Sequence, residues 1–385
     1  MTSPVKFDVV VIGAGIAGAS AAWALAEHAS VALVEQTQSP GHHATGRSAS
    51  ILSETSGHRV LCALAAASRA FFESPPDNFA AHPLLSPRGL LWVGEDTDSE
   101  ALDALARHGT PINPSVTRLT PSETLELVPY FRPHAIAGGS TFEPDAMSID
   151  TDALLQGFLR GLRDRGGLLF TSTEAIELSR RDDPSRHDDR WTVRCGAHLF
   201  TTPIVVNAAG AWGDVIAQRA GVPAIGLQPR RRTACIAAVA DADPRWPLVM
   251  DVAGRYYTEP EAGGLLISPA DESPSDPCDA QAEEIDVALA LDRVREATTL
   301  PLRSIRRAWA GLRTFSADGA PVVGEEPTAP GFWWLVGQAG AGIKTAPAMA
   351  SLLATLIRGD AVPTGITERT VSSADLSPTR FRSPA

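Results

Sequence analysis

Six residues near the start, Gly13-Ala14-Gly15-Ile16-Ala17-Gly18, constrain this chain more than any other stretch. They follow a β-branched run, residues 8–12, and open an apolar run over residues 16–27. A second strand-like run, VALVE, occupies residues 31–35. Strand, glycine turn, helix and strand make a βαβ unit. Gly13 allows the tight turn, Gly15 lets the backbone approach a pyrophosphate, and Gly18 lets the helix pack on the sheet. The N–H groups and partial positive charge of the helix start favour an anion there. Glu35 falls about 20 residues on, placed to accept ribose hydroxyls. The alternative is a glycine turn chosen for packing alone. The full constellation predicts dinucleotide binding but does not separate FAD from NAD.

Residues 9–26 carry no charge over a membrane-like length. Three glycines interrupt them, and Asp8 precedes them without a basic flank. They read as buried strand, turn and helix, not as an integral membrane segment or a signal peptide. The length, 385 residues, suggests two domains. A formal net charge of −12 makes nucleic acid a poor partner, and an anionic substrate needs its own local cations. Only Lys6 and Lys344 are lysines, so arginine supplies nearly all positive charge. Cys62, Cys195, Cys235 and Cys278 are scattered without a CxxC pair. That pattern indicates no metal site and no disulfide framework, and it suggests a cytoplasmic protein.

The βα rhythm recurs in mid-chain. Asp150 or Thr151 caps a helix whose apolar face is Leu154, Leu155, Phe158, Leu159 and Leu162, and Gly166 and Gly167 end it. LLF at 168–170 is then a strand, residues 179–190 form a solvated hairpin tip, and IVVNAAGAW at 204–212 is a buried strand running into a glycine turn. Residues 231–310 lose the rhythm and show strand-like runs and an acidic loop, ADESPSDPCDAQAEE. It returns after Arg313. The prediction is an α/β (α+β) two-domain protein with a discontinuous Rossmann-like domain over 1–57, 145–224 and 308–385. An antiparallel-sheet substrate domain is inserted over 58–144 and 225–307. A fingerprint at the first strand with closure at the far C-terminus favours FAD over NAD.

The chain resembles the FAD-dependent D-amino-acid oxidase superfamily, which includes glycine and sarcosine oxidases, and within it the bacterial D-arginine dehydrogenases most. The likeness is carried by HATGRSAS (43–50), ASRAFFESPP (67–76), HPLLSPR (82–88), SIDTDALLQGFLRG (148–161), VNAAGAW (206–212), GLQPRRR (226–232), WAGLRTFSADG (309–319) and QAGAGIKTAPAM (338–349). It implies that Ala44, Thr45, Gly46, Arg47, Ser48, Ala49, Ser50 and Ile51 line the isoalloxazine and pyrophosphate of FAD. Ala17, Glu35 and Gln36 hold the adenosine half, and Ala175 offers a backbone contact to adenine. Ala339, Gly340, Ala341, Gly342, Ile343 and Lys344 meet the pyrimidine edge. Lys344 either stabilises the flavin or is solvated in the first helical turn. Sarcosine-oxidase-like relatives tether FAD through a cysteine in the C-terminal part; none follows Cys278 here, so the flavin is expected to be noncovalent.

A partly buried carboxylate needs guanidinium forks. By resemblance, Arg313 and Arg232 clamp it and Tyr257 supports it, with Gly340, Ile343, Ser56, Leu90 and Val252 also at the substrate. Neighbours on a strand alternate in direction, so Arg230, Arg231 and Arg232 cannot all enter one pocket. The family's glutamate for a cationic side chain falls on Leu90, a histidine on Ile51 and a lid tyrosine on Ser56. Ile51, Leu90, Leu248 and Met250 instead suggest an apolar pocket. His43, His58 and His82 read as structural or solvent-facing, and no general base is assigned. The leading expectation is oxidative deamination of a D-amino acid with a neutral side chain. Hydride passes to flavin N5, and water hydrolyses the resulting imine to a 2-oxo acid and ammonia. Oxidation of a secondary amine, 2-hydroxy-acid oxidation, and a flavin-binding partner protein without turnover are the competing readings. The electron acceptor is left open.

Overall fold

The structure is a computed structural model describing residues 4–181, 190–261, 263–369 and 371–382. The first glycine motif sits where expected. Val9–Ile12 is a fully buried strand, Ile16–Leu25 the helix after it, and Val31–Val34 the parallel neighbour. These strands are central in a six-stranded sheet. In spatial order it runs through Leu168–Phe170, Val31–Val34, Val9–Ile12, Ile204–Asn207, Phe332–Val336 and Val322–Glu325. All neighbours are parallel except the last pair.

Strand alternation divides this sheet between two cores. Val9, Val11, Val31 and Leu33 pack under the helices Ile16–Leu25, Thr151–Asp164 and Gly342–Arg358. Val10, Ile12, Ala32 and Val34 face Leu178, Trp191, Val193 and Phe200 of a second, four-stranded sheet. A near-continuous run of β-branched residues is therefore buried on both faces, as parallel strands require. Asp150 caps its helix, with Oδ1 accepting the Ala153 N–H at 2.8 Å. The strands Ala175–Arg181 and Arg190–Cys195 pair as a hairpin, and most of the tip expected at 179–190 lies outside the described residues.

A ten-stranded sheet makes the other large layer. Its strands include Leu90–Val93, Ser140–Glu143, Gln228–Ala237, Leu248–Asp251, Tyr257–Glu261, Gly264–Ser268 and Ile305–Phe315. Most pairs are antiparallel, but Leu248–Asp251 runs parallel to Leu90–Val93. The long strand Ile305–Phe315 crosses the boundary expected at 307/308 and pairs with Gln228–Ala237 along its length. A helix, Glu284–Ala297, occupies part of the stretch that reads as strands and acidic loop. Ala290, Val294 and Ala297 bury one side of it, but its acidic opening continues the loop composition and hides its start. None of the helices is long and apolar enough to cross a membrane among the described residues.

Candidate functional site

Both layers line one cavity. The first contributes Gly13, Gly15, Ala17, Glu35, Gln36 and Ala175; the second contributes Arg232, Tyr257, Gly311 and Arg313. The segments 41–49, 208–212 and 338–343 supply most of the wall between them.

The turn residues explain their own identity. Gly13 adopts φ +99°, and a Cβ there would lie 2.7 Å from the Ala208 carbonyl oxygen. At Gly18 a Cβ would stand 1.8 Å from the Gly13 carbonyl oxygen, so only glycine lets the helix sit this close to the turn. Glu35 is buried, with Oε2 accepting the Ala14 N–H at 2.8 Å and Oε1 accepting from Thr37 N and Oγ1, each at 2.8 Å. These contacts fix a carboxylate against the cavity beside the helix start, an arrangement that fits a ribose and pyrophosphate. Thr45 Oγ1 accepts the Ile16 N–H at 3.0 Å, which ties the segment 41–49 to the same helix end.

The expected cofactor residues divide in two. Gly13, Gly15, Ala17, Glu35, Gln36, Ala44, Thr45, Arg47, Ser48, Ala49, Ala175, Ala339, Gly340, Gly342 and Ile343 line the cavity. Gly18, Gly46, Ser50, Ile51, Ala341 and Lys344 do not. Gly46 lies in a tight turn, its N–H donating to Gly41 O at 2.7 Å, and Ser50 Oγ accepts from Thr151 Oγ1 at 2.7 Å. Arg47 latches the wall, donating to the carbonyls of His42, Ala280 and Ala310 and to the Asp279 carboxylate. Asp279 also lies beside His42 and His43, but the Arg47 guanidinium already pairs with this carboxylate. The solvated alternative expected of Lys344 does not match its surroundings. Its ammonium is buried and donates to Ser53 O, Ser56 O and Ser56 Oγ at 2.9, 2.8 and 3.0 Å. Burial holds its pKa below the ordinary lysine range. Three oxygens of one loop take its donors, so it anchors that loop behind the cavity wall.

On the large sheet, register decides which arginines reach the cavity. Arg230 lies opposite Arg313, and Arg232 opposite Gly311. Residues two apart share a face, so Arg232 and Arg313 are diagonal neighbours on the cavity side. Arg231 points the other way and pairs with Glu283 and Asp286. Arg232 is not free: Nε donates to Asp271 O at 2.7 Å and Nη2 to Glu272 Oε1 at 3.0 Å. The Arg313 guanidinium has no hydrogen-bond or ion-pair partner among the described residues. Burial, then the nearby Arg232 charge, pushes its pKa down to about 10. Gly340 makes room for it, since a Cβ there would stand 3.1 Å from Cζ, Nε and Nη1 of Arg313. Tyr257 is buried, lines the cavity, and lies 6.0 Å from the Arg232 guanidinium carbon.

Three expected substrate residues stand off the cavity. Ser56 is held by Lys344. Val252 donates its N–H to Val93 O at 2.8 Å, beyond the end of the strand Leu248–Asp251. Leu90 is 0% exposed and packs with Ala146, Leu248, Ile51, Trp92 and Met250. The four apolar residues thus do come together, with Leu90 and Leu248 buried and Ile51 and Met250 half-buried beside them. Of the histidines, His43 lines the cavity with its ring 4.6 Å from Trp212, and burial lowers its pKa. His58 caps the helix Arg59–Glu73, and exposed His82 pairs with Asp150. Sequence reasoning missed Gly311, Cys278 and Ala280 as lining residues.

The layers and the cavity define a dinucleotide-binding protein with a cationic pocket on a second sheet. A family model described as FAD dependent oxidoreductase matches residues 8–356. The chain belongs to that family, and its cofactor is FAD. It is 25% identical to a glycine oxidase of Geobacillus kaustophilus over 388 residues, covering 97% of this chain and 96% of the relative. The crystal structure of glycine oxidase from that organism matches with a TM-score of 0.83 at 23% identity, over 98% of this chain and 99% of the other. L-proline dehydrogenase from P. horikoshii matches with a TM-score of 0.81 at 21% identity, over 98% of each chain. L-alpha-glycerophosphate oxidase from Mycoplasma pneumoniae, with FAD bound, gives 0.79 at 17% identity, over 92% of this chain and 95% of the other. At those identities the structures share the fold.

Proposed function

We propose that this protein oxidises the amine-bearing carbon of an amino acid with a free carboxylate and a neutral side chain, D-configured where it is chiral. The unpaired Arg313 guanidinium on the cavity wall carries this reading. A buried cation without a paired counter-ion is unfavourable until an anion arrives, and a carboxylate matches its fork. Tyr257 and Arg232 stand on the same face to orient that carboxylate. FAD, when bound by the residues around Gly13, Glu35 and 41–49, supplies the two-electron oxidant for amine oxidation. The chain's own task is to present the substrate's amine-bearing carbon by holding the carboxylate.

Side-chain choice follows from the acids around Leu90. Glu143 lies directly across from Leu90, but its carboxylate accepts from Ser53 Oγ, Glu54 N and Thr55 Oγ1. Glu259 is opposed to Arg88 at 3.2 Å and accepts from Ser148 Oγ. Both acids are thus committed, and Leu90, where the resemblance implies an acid for a cationic side chain, is apolar and off the cavity, so this region supplies no counter-charge to a cationic substrate. The relative named as a glycine oxidase supports an amino-acid substrate.

Anaerobic reduction of the bound flavin tests this. The panel is glycine, sarcosine, D- and L-leucine, D-arginine, L-proline and glycerol 3-phosphate. D-Leucine should reduce the flavin with a higher kcat/KM than D-arginine or L-leucine. A preference for D-arginine would remove the neutral side-chain assignment. Reduction by glycerol 3-phosphate alone would remove the amino acid. Reduction by sarcosine or L-proline alone would select a secondary amine.

A further inference from the structure

We infer that Glu272 is a built-in competitor for Arg232, which leaves one unpaired cation on the carboxylate-binding face and restricts the site to monocarboxylates. This rests on the reading of Arg313 as the carboxylate anchor. The acidic stretch after Pro269 folds back along the arginine triplet: Ser273 and Pro274 pair with Arg231 and Arg230. That pairing places Glu272, itself exposed and outside the cavity lining, beside Arg232 on the same face of the strand. One of its oxygens accepts from Arg232 Nη2 at 3.0 Å and the other from Arg230 Nη1 at 2.9 Å. Its neighbour Asp271 is turned to the backbone, accepting from Thr233 N at 2.7 Å and Thr233 Oγ1 at 3.1 Å.

Of the two cavity-lining arginines on the large sheet, Arg232 is therefore paired with a carboxylate of the chain, and Arg313 is not. A guanidinium presents five N–H donors in a rigid fork. Arg232 gives its Nε–H to Asp271 O and one Nη2 donor to Glu272, so it can still hydrogen-bond a substrate while contributing little net charge. A monoanion then balances Arg313. A dianion would bring a second charge that faces Glu272. Arg230 tunes this balance, because it draws Glu272 away from Arg232. Its own guanidinium is steadied over the Phe315 ring at 4.7 Å.

The test uses the FAD-loaded protein and two non-reacting probes, acetate and malonate, with binding read from perturbation of the flavin visible spectrum. The wild type should bind acetate more tightly than malonate by roughly tenfold or more, the scale of one unmatched charge at a partly screened site. Glu272→Gln keeps the shape and should tighten both probes, malonate most, so that the preference disappears. Arg230→Met should weaken acetate binding, because Glu272 then engages Arg232 alone. Loosened packing would move the two variants the same way; competition moves them in opposite directions. An unchanged malonate-to-acetate ratio in Glu272→Gln, or parallel shifts of acetate in both variants, overturns the inference. Arg313→Met separates the underlying reading: acetate binding unaffected in that variant would remove the carboxylate anchor itself.

Discussion

Replacing Arg313 by Met isolates the group on which the functional reading depends. The side chain keeps its length and loses its charge and fork. Its pKa falls from 12.5 to about 10 through burial and the neighbouring Arg232. At 1.36 kcal/mol per unit, that shift corresponds to about 3 kcal/mol of penalty on the charged form, as an order of magnitude. A bound carboxylate relieves it through charge-assisted hydrogen bonds of about 1.5–3 kcal/mol each. The loss in kcat/KM should thus be roughly 3 kcal/mol, or about 100-fold, with FAD content unchanged. The same arithmetic gives an opposite effect on stability. A cation whose folded pKa lies below its unfolded value destabilises the fold wherever it stays protonated, here at all pH values below about 10. Arg313→Met should therefore raise Tm while it lowers kcat/KM. Steady-state kinetics on the best amino acid of the panel, with a thermal scan of the same preparation, gives both numbers. Unaltered kinetics, or a fall in Tm at full FAD occupancy, would refute the reasoning.

Acid precipitation should release all flavin into the supernatant; colour that stays on the chain and disappears in Cys278→Ala would place a tether at this exposed, cavity-lining thiol. Lys344→Met should leave the buried loop oxygens of Ser53 and Ser56 without their donor and lower Tm at pH 7. Because burial lowers the folded pKa of Lys344, the unfolded chain holds its proton longer, so wild-type stability gains as pH rises towards 10.5. That gain should be absent from the Lys344→Met profile, and coincident pH profiles would count against a buried ammonium. Leu90→Glu would place a carboxylate at a fully enclosed position across from Glu143, so Tm should fall by an amount equivalent to several kcal/mol. An unchanged Tm would show that the apolar cluster around Leu90 opens to solvent or ligand.

Local chemistry wrote much of this molecule into its sequence. The positive φ at Gly13 and the close packing of Gly18 on the Gly13 carbonyl are short-range, so glycine identity alone signals them. The cap at Asp150 and the helix face from Leu154 to Leu162 are likewise short-range. Alternation along 230–232 implied that the three arginines cannot share one pocket, because side-chain direction in a strand has a period of two, and Arg231 does point away from Arg230 and Arg232. The helix Glu284–Ala297 was lost because its acidic first turn continues the composition of the loop before it.

What the sequence could not supply are the partners of its charges. Arg232 and Arg313 look alike as residues in strand-like runs, yet one meets Glu272, 40 residues away, and the other meets no counter-ion among the described residues. Lys344 reads as the start of a helix beside a flavin, but its donors end on a loop 288 residues earlier in the chain. Leu90 and Val252 carry side chains compatible with a pocket, and packing encloses the first and sets the second beyond a strand end. By itself the sequence determined the cofactor-binding turn and the strand and helix periods, because each depends on neighbours along the chain or on strand direction; the choice of Arg232 and Arg313 came from the resemblance. Only the tertiary structure decided which arginine is unpaired, which acids are committed and which apolar residues are closed off. Those properties depend on desolvation and on counter-charges delivered by segments far apart in sequence.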